Sequence, residues 1–167
     1  MALKFKKILD IKCGLRYLYS DLRLASTLSR SIIIDSKLES SKDKIEQMYK
    51  ELAEFTELLS PSGKLNALTN KLSILLSHLR DIRNSLKRIS EGAIADDIEL
   101  FEIKSLSMIN EKVKELLSPL SIQSVTLPDL SGLCNLLDPE GAGINSFYIY
   151  DSYSDELKGL RNQLKMG

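Results

Sequence analysis

The sequence has little of several residue types that mark particular classes of protein. It contains no Trp, two Cys, four Pro and eight Gly among 167 residues. So few Gly and Pro residues argue against an all-β fold, which needs many turns. Cys13 and Cys134 fit no metal-ligand spacing and are too few to form a disulfide framework. Their number and spacing favour a reduced, cytoplasmic setting.

Net charge and long apolar runs are also absent. Lys and Arg together number 23, as do Asp and Glu, so no global field draws the chain to nucleic acid or to an anionic membrane. No apolar run approaches the ~18 residues that span a bilayer. The opening stretch MALKFKKILDIKCGL lacks a continuous apolar run and a small-residue cleavage site, so no secretory signal and no membrane partner are predicted.

The motifs of common catalytic and cofactor sites are missing too. There is no Gly-rich phosphate loop, no dinucleotide fingerprint and no cluster of metal ligands. The acidic pairs Asp96–Asp97 and Asp155–Glu156 stand at predicted helix starts, where the helix dipole accounts for them. We therefore expect no catalytic residue, no cofactor and no metal ion in this chain, and no enzyme activity of its own.

The single histidine, His78, points to one alternative function. Small helical bundles can carry a phosphorylated histidine, so a histidine phosphotransfer domain is conceivable. The residues HLRDIRNS lack the Lys-Gly pair that such domains place after the histidine. An ordinary histidine beside a packed helical surface is favoured, and acid-labile label that survives His78→Gln would exclude the alternative.

Helical periodicity is what the sequence contains in abundance, and it predicts a mainly α, elongated helical bundle. One stripe at steps of three and four comprises Ile45, Met48, Tyr49, Leu52, Phe55 and Leu59. The segment SPSGK ends that helix, with Pro61 and Gly63 as breakers. Before it, SIIIDSKLESS is predicted to be an extended link, because three β-branched residues precede a Ser-rich stretch.

A long helix with a heptad pattern is predicted next. Its apolar residues alternate steps of three and four without a miss: Leu65, Leu68, Leu72, Leu75, Leu79, Ile82, Leu86 and Ile89. An average step of about 3.5 residues indicates a narrow seam of the coiled-coil type. We expect the seam to pack antiparallel on the preceding helix, since short connections favour such neighbours. A stand-alone homodimeric interaction module that uses the same seam is the main rival.

The second half of the chain predicts more helix and a little strand. A helix with a broad apolar face is expected to begin at Asp96 and Asp97 and to end at Pro119. Residues 144–150, INSFYIY, have strong strand propensity and are predicted to pair with 121–127 in a small β-ribbon near the C-terminus. A last helix is then expected, capped by Ser152 or Ser154.

One basic cluster is a candidate for phosphate contact. It comprises Arg80, Arg83, Lys87 and Arg88 in the last turns of the predicted heptad helix. The spacing 80–83–87 would place three of these side chains along one helix face. Complementarity to the helix dipole is the simpler explanation, and DNA contact by the cluster is the functional one.

Two stretches resemble segments of one known protein family. The first is LRDIRNSLKRISEGAIADDIELFEIKSLSMINEKVKELL, which is similar to the connector and core helices of the MutS family, whose members act in DNA mismatch repair. The second is DPEGAGINSFYIYDSYSDELKGLRNQLK, which is similar to the segment where a short strand enters a long helix. Ser154, Glu156, Leu157, Leu160 and Arg161 occupy the matching places of a Ser-Pro-Glu-Leu-x-x-Ile-Arg phrase, although Asp155 and Leu160 stand where the family often has Pro and Ile.

The resemblance is closest to the branch that lacks the mismatch-reading N-terminal domains. It implies that residues 1–167 form a single core/lever domain, and that Ser154, Glu156, Leu157 and Arg161 mark the start of a lever helix. The longer protein would continue through a lever and a DNA-embracing clamp into an ATPase domain. Its partners would be DNA and the remaining domains of the same protein, and ATP would bind in a domain absent from these residues.

Overall fold

The computed structural model describes residues 4–120, 122–144 and 146–166. In these ranges the chain is mainly helical, as the sequence predicts. The α-helices in chain order are α1 Phe5–Leu9, α2 Leu15–Asp21, α3 Thr27–Asp35, α4 Lys42–Leu58, α5 Thr69–Ser77, α6 Arg83–Ser90, α7 Asp97–Leu117, α8 Ser131–Leu137 and α9 Asp155–Met166. Short 3₁₀ turns occupy Asn66–Leu68, Ser118–Leu120 and Asp151–Tyr153. None of the described helices is long and apolar enough to cross a membrane.

The chain divides into two compact units. One comprises the described residues up to Asp81 together with Val113–Thr126. The other comprises Ile82–Lys112 together with the described residues from Leu127 onward. The helix α7 supplies residues to both. We refer to them as unit 1 and unit 2.

In unit 1, the N-terminal helices are tied to one another by backbone and ring contacts. The Phe5 amide donates to the Ser36 carbonyl at 2.9 Å, and the rings of Phe5 and Tyr19 meet edge to face with centroids 6.0 Å apart. Ser26 caps α3, because its hydroxyl accepts from the Ser29 amide at 3.1 Å. With this cap in place, Ile32–Ile34 continue the helix, so the prediction of an extended link from the β-branched run is wrong there.

The turn after α4 is tight, and Gly63 makes it possible. The Leu65 amide donates to the Leu58 carbonyl at 3.1 Å. A Cβ atom on Gly63 would stand 2.1 Å from that same carbonyl oxygen, which no side chain permits. Chain reversal at SPSGK therefore confirms the predicted end of the helix and depends on glycine for steric reasons.

The prediction of one long heptad helix over 65–89 is wrong. The helix α5 ends at Ser77, residues 79–82 have no helical structure, and α6 begins at Arg83. The Ser77 hydroxyl donates to the Ile74 carbonyl at 2.7 Å, and Asp81 adds a second short polar side chain of the kind that competes with helical backbone bonds. The apolar residues keep their steps of three and four across the break, but they do not form one continuous helical seam.

The predicted β-ribbon is also wrong, since the described residues contain no strand and a single isolated bridge, between Lys4 and Lys37. In the 121–127 segment the Gln123 amide and the Ser124 hydroxyl bind the Glu54 carboxylate instead. The Tyr150 carbonyl accepts from the Tyr153 amide in a turn. Polar groups of both segments therefore have other partners; Ser121 and Asn145 lie outside the described residues.

The start of α7 follows the sequence prediction closely. The Glu99 amide donates to Asp96 Oδ1 at 2.8 Å, and Glu99 Oε2 accepts in return from the Asp96 amide at 3.1 Å. This reciprocal pair is a capping box. Every residue from Glu99 to Glu111 is buried or half-buried, which confirms that this helix is covered on more than one side.

Candidate functional site

The residues matching the MutS phrase lie at the base of α9. The Ser154 hydroxyl accepts from the Leu157 amide at 3.3 Å, and the Ser154 carbonyl accepts from the Lys158 amide at 3.1 Å. These bonds make Ser154 the N-cap of the helix. Asp155 and Glu156 occupy the first turn, where their charges complement the helix dipole. The first turn is therefore fixed locally, by residues of the phrase itself.

Arg161 ties the second turn of α9 to the segment before it. Its Nη1 donates to Asp151 Oδ1 at 2.5 Å and to the Ile149 carbonyl at 2.8 Å. The guanidinium lies 4.9 Å from the centre of the Tyr148 ring, a cation–π distance. The Asp151 carboxylate raises the pKa of Arg161 above its usual range. We call the four residues Tyr148, Ile149, Asp151 and Arg161 the α9 clamp.

Directly before the α9 clamp, Tyr150 enters a buried polar cluster with Lys104 of α7 and Asp138 after α8. Lys104 is 1% exposed and Tyr150 2% exposed. Lys104 Nζ lies 3.2 Å from Asp138 Oδ1 and 3.5 Å from the Tyr150 hydroxyl. The Tyr150 hydroxyl donates a short hydrogen bond to the same Asp138 oxygen. The segment that carries the α9 clamp is thus fastened to the middle of α7.

Each member of the buried cluster has its polar atoms satisfied. The second Asp138 oxygen accepts from the Gly143 amide at 2.8 Å, and Lys104 also donates to the Ser146 carbonyl at 3.4 Å. Two glycines with positive φ, Gly141 and Gly143, carry the chain around Asp138. Buried ions are tolerated only with such compensation. The cluster therefore holds the loop after α8 in one arrangement.

The pKa values of the cluster follow from these bonds. The hydrogen bond from Tyr150 lowers the pKa of Asp138, with further contributions from the Gly143 amide and Lys104. The same bond to Asp138, together with burial, raises the pKa of Tyr150 to about 12. At neutral pH the pair is therefore a carboxylate and a neutral phenol. Tyr153 packs edge to face on Tyr150, with ring centroids 5.9 Å apart, and donates to the Leu136 carbonyl at 2.6 Å.

Sequence reasoning missed this buried cluster. It assigned Tyr150 to a strand and did not recognise Asp138 and Lys104 as partners of its side chain. The three residues are far apart in sequence, with Lys104 and Tyr150 separated by 46 positions. One signal was available: Lys104 interrupts the broad apolar helix FEIKSLSMI, where a lysine needs a buried partner or an exit to solvent.

The predicted basic cluster is not one helical surface. Arg80 lies outside any helix, and Arg83, Lys87 and Arg88 belong to α6, so the expected single face for 80–83–87 is wrong. Arg88 forms an ion pair with Glu99, to which its Nε donates at 3.2 Å. Lys87 lies 3.9 Å from Glu91 on the same helix. At least two of the four cations therefore have a carboxylate partner, and DNA contact by the cluster stays a prediction.

The remaining candidates occupy ordinary positions. His78 is the exposed C-cap residue of α5, and histidine phosphotransfer stays the disfavoured alternative. Cys13 and Cys134 are free thiols, and burial raises the pKa of Cys134. Over the described ranges, no three His, Cys, Asp or Glu side chains come together in a group that could hold a metal ion.

Comparison with known proteins bears on the resemblance found in the sequence. Endonuclease MutS2 from Bacillus mycoides (strain KBAB4) is 28% identical over 137 residues, covering 74% of this chain and 17% of that protein. The putative endonuclease MutS2 from Bacillus subtilis (strain 168) is 25% identical over 173 aligned positions, covering 98% of this chain and 20% of that protein. This chain is similar in sequence to MutS2 proteins.

The MutS resemblance is thereby supported at the level of a MutS-related sequence. The chain spans about a fifth of the length of the curated relatives it matches. No protein-family model matches the chain, and no solved structure matches it.

Proposed function

We propose that this chain is the core and lever-start region of a MutS-like DNA repair protein, of the branch that lacks mismatch-reading N-terminal domains. In this role it relays the state of an ATPase domain to a DNA-binding clamp and carries out no chemistry itself. For the longer protein, the same proposal includes endonuclease and ATPase activities, DNA binding by the clamp and a cytoplasmic setting. Similarity to the putative endonuclease MutS2 from Bacillus subtilis over nearly the whole chain supports it.

The observation that carries the proposal is the attachment of α9. Arg161 and Ser154 fix its first two turns to the preceding segment. In the second of these turns Leu160 is 54% exposed, and further along the helix Leu164 is 82% exposed. A helix held firmly at its base, with apolar residues left uncovered along it, suits a lever that starts here. Rotation of the segment 148–151 would be passed to the helix because Arg161 binds Tyr148, Ile149 and Asp151.

The first test is the gene itself. We expect the reading frame to run on past codon 167 through a heptad-rich arm into a G-x-x-x-x-G-K-[ST] loop, the phosphate-binding motif of an ATPase. A stop codon directly after Gly167, with no ATPase motif in the gene, would overturn the proposal.

The second test addresses the relay. In the full-length protein, Arg161→Ala should leave ATP hydrolysis intact and abolish the ATP-dependent change in DNA affinity, because the α9 clamp is broken. Lys158→Ala, on an exposed position of the same helix, is the matched control and should behave as the wild type. Coupling that survives Arg161→Ala would count against the lever.

DNA contact by Arg80, Arg83, Lys87 and Arg88 forms a separate part of the proposal. Replacing all four by Gln should weaken DNA binding uniformly across sequences and flatten its salt dependence, by about 0.9 in the logarithmic slope for each phosphate that is no longer neutralised. Glu99→Gln serves as a control, since it removes the partner of Arg88 without removing a cation. Unchanged affinity at low salt in the fourfold variant would remove the cluster from the DNA interface.

The rival function is a homodimeric interaction module, and the surface that was predicted to form its dimer is not continuous. The seam over 65–89 is interrupted between Ser77 and Arg83, so it offers no continuous coiled-coil surface. Self-association would need another apolar surface.

A further inference from the structure

The region of α1, α2 and α3 is strongly basic, although the chain as a whole is neutral. Residues 4–37 contain eight Lys and Arg and three Asp. All eight of these cationic residues are exposed. This part of unit 1 therefore has a local positive field, which the zero net charge of the chain conceals.

Two of these lysines face each other across the isolated bridge. Lys4 and Lys37 are the paired residues of this antiparallel bridge. The hydrogen bond beside the pair runs from the Phe5 amide to the Ser36 carbonyl at 2.9 Å. The Lys4 carbonyl accepts from the Lys7 amide at 3.0 Å instead. The two lysines therefore form a non-hydrogen-bonded pair, in which the Cα atoms are about 4.5 Å apart and the side chains lie on the same side.

A third lysine joins the pair from α1. Lys4 is the N-cap residue of α1, and Lys7 is the third residue of that helix. Side chains at these two positions are neighbours, since they are the positions that a capping box connects. Lys7 is thereby placed beside Lys4. We call Lys4, Lys7 and Lys37 the lysine patch.

Within the described ranges, no carboxylate forms an ion pair with any lysine of the patch. Two acidic residues of the same part of the chain already have other partners. Asp10 lies 2.8 Å from Arg16, and Glu39 lies 3.3 Å from Lys44. Like charges directly opposite each other destabilise a strand pair. An anion bound at the lysine patch would relieve that repulsion.

The apolar neighbours of the lysine patch do not favour a lipid surface as the partner. Binding to a lipid surface uses apolar side chains that insert beside the basic ones. The apolar side chains of α1 are turned inward, because Ile8 is 9% exposed and Phe5 meets the Tyr19 ring edge to face. The third, Leu9, is half-buried. The helix α1 therefore presents charge alone to a partner.

Charge density favours nucleic acid over an acidic protein segment. Duplex DNA carries one negative charge for about every 1.7 Å of its axis, and its condensed counterions are released when lysines bind. An extended acidic peptide presents at most one carboxylate on one face for about every 6.6 Å. Lysine is a compact point charge with three donors, which suits phosphate contacts that carry no sequence information.

We propose that the lysine patch binds the phosphodiester backbone of nucleic acid, and that it holds duplex DNA without sequence preference. Each lysine contacts phosphate oxygens, so binding weakens steeply as salt is added. The patch lies in unit 1 and shares no residue with the basic cluster of residues 80–88. The inference is independent of the relay proposal, because it concerns only the contact between this chain and DNA.

The test is the affinity of the 167-residue chain for a fluorescein-labelled duplex of about 20 base pairs, by fluorescence anisotropy over about 50–200 mM salt. The variant carries Lys4→Gln, Lys7→Gln and Lys37→Gln together. It should bind at least about tenfold more weakly at the lowest salt. Its slope of log K against log[salt] should be smaller by about 2–3, at ~0.9 for each phosphate that is no longer neutralised. Duplexes of different sequence should bind the wild type equally well.

A second triple variant controls for net charge. Lys50, Lys64 and Lys71 are exposed lysines elsewhere in unit 1. Replacing these three by Gln removes the same charge but leaves the lysine patch intact. The control should lose less than about threefold in affinity and should keep the wild-type salt slope within about 0.5.

Thermal stability separates a lost contact from a damaged fold. Replacing the lysine patch by Gln removes the repulsion across the bridge, so this variant should unfold at the wild-type midpoint or above it. Circular dichroism during heating measures the midpoint. A midpoint below that of the wild type would show that the three lysines have stabilising partners in the fold, and it would overturn the inference.

Several binding results would also overturn it. One is no binding of the wild type to the duplex at about 50 mM salt. Another is an equal loss of affinity in the two triple variants, which would reflect net charge alone. A third is binding of vesicles of phosphatidylserine and phosphatidylcholine, or of polyglutamate, more tightly than the duplex, which would assign the patch to a lipid surface or to an acidic protein segment.

Discussion

The helices α4 and α7 differ in the side chains that they expose and bury. The helix α4 exposes Met48, Tyr49 and Leu52 and is anchored by a carboxylate, Glu54. The helix α7 buries Lys104 and Ser107, which are 1% and 0% exposed. Hydrophobicity alone therefore does not decide which side chains are covered here. A polar group can be buried where every hydrogen bond is satisfied, and an apolar stripe stays exposed where the fold supplies no neighbour.

Removing the buried lysine should have the largest effect on this contrast. Lys104→Ala leaves the Asp138 carboxylate without its cation in a buried site, and we expect a loss of about 3–5 kcal/mol in the free energy of unfolding. Chemical denaturation followed by circular dichroism measures it. Lys112→Ala, on an exposed position of the same helix, is the control and should change stability by less than ~0.5 kcal/mol. Similar effects of the two would show that the buried cluster does not stabilise unit 2.

The same buried cluster should affect the pH dependence of the free energy of unfolding in both the alkaline and the acid range. The pKa of Tyr150 is raised from 10.0 to about 12, so its stabilisation is complete below pH 10 and is lost as the pH climbs through about 12. The pKa of Asp138 is lowered, so its contribution is present above the ordinary carboxyl pKa and is lost as the pH falls through the lowered value.

Denaturation across pH, with tyrosinate absorbance, separates these two limbs. Tyr150→Phe should flatten the alkaline limb, and Asp138→Asn should flatten the acid limb. Tyr17→Phe, which alters a residue that is 75% exposed, should alter neither. An unchanged alkaline limb in Tyr150→Phe would place the responsible group elsewhere.

The turn that ends α4 should be nearly as sensitive. Gly63→Ala forces a methyl group against the Leu58 carbonyl, and we expect a loss of about 1–3 kcal/mol on thermal or chemical unfolding. Gly159→Ala offers the opposite case, because nothing lies within 4 Å of the added Cβ and the position is inside α9. There, a gain of about 0.5–1 kcal/mol is expected. If both substitutions changed the free energy of unfolding in the same direction, the result would contradict the tight turn.

The smallest effect on the free energy of unfolding of the monomer should come from the exposed apolar residues of α4, which are Met48, Tyr49 and Leu52. Leu52→Ala removes a side chain that is already 61% exposed, so the free energy of unfolding of the monomer should change by less than ~0.5 kcal/mol at high dilution. The denaturation midpoint in dilute solution is the measurement. A loss of the size seen for buried leucines, about 2–5 kcal/mol, would show that the stripe is covered within the monomer.

The sequence predicted the elements whose signals are local. Asp96 and Asp97 marked a helix start through the helix dipole, and α7 begins at Asp97. Pro61 and Gly63 mark the turn where α4 ends. Both depend on neighbouring residues alone, so a sequence is sufficient to find them.

The errors have a common physical origin. Regular apolar steps from Leu65 to Ile89 report which side of the chain is to be covered, but they do not report whether the backbone stays helical between Ser77 and Arg83. Strand propensity at 144–150 was overridden, because the Ser146 and Ile149 carbonyls accept from side chains and the Tyr150 carbonyl accepts from the Tyr153 amide in a turn. Lys104, Asp138 and Tyr150 meet only through the fold, so the base of α9 could be located from sequence while the cluster that supports it could not.

The α9 clamp has a practical consequence for engineering. Because Arg161 holds the second turn of α9 to Asp151, Ile149 and Tyr148, the direction of the helix axis is set before its last turn. A helical peptide or a rigid label grafted in register after Lys165 would inherit that direction and advance about 1.5 Å for each residue added. The helix α9 is therefore a suitable attachment site for a distance probe that reports the orientation of unit 2.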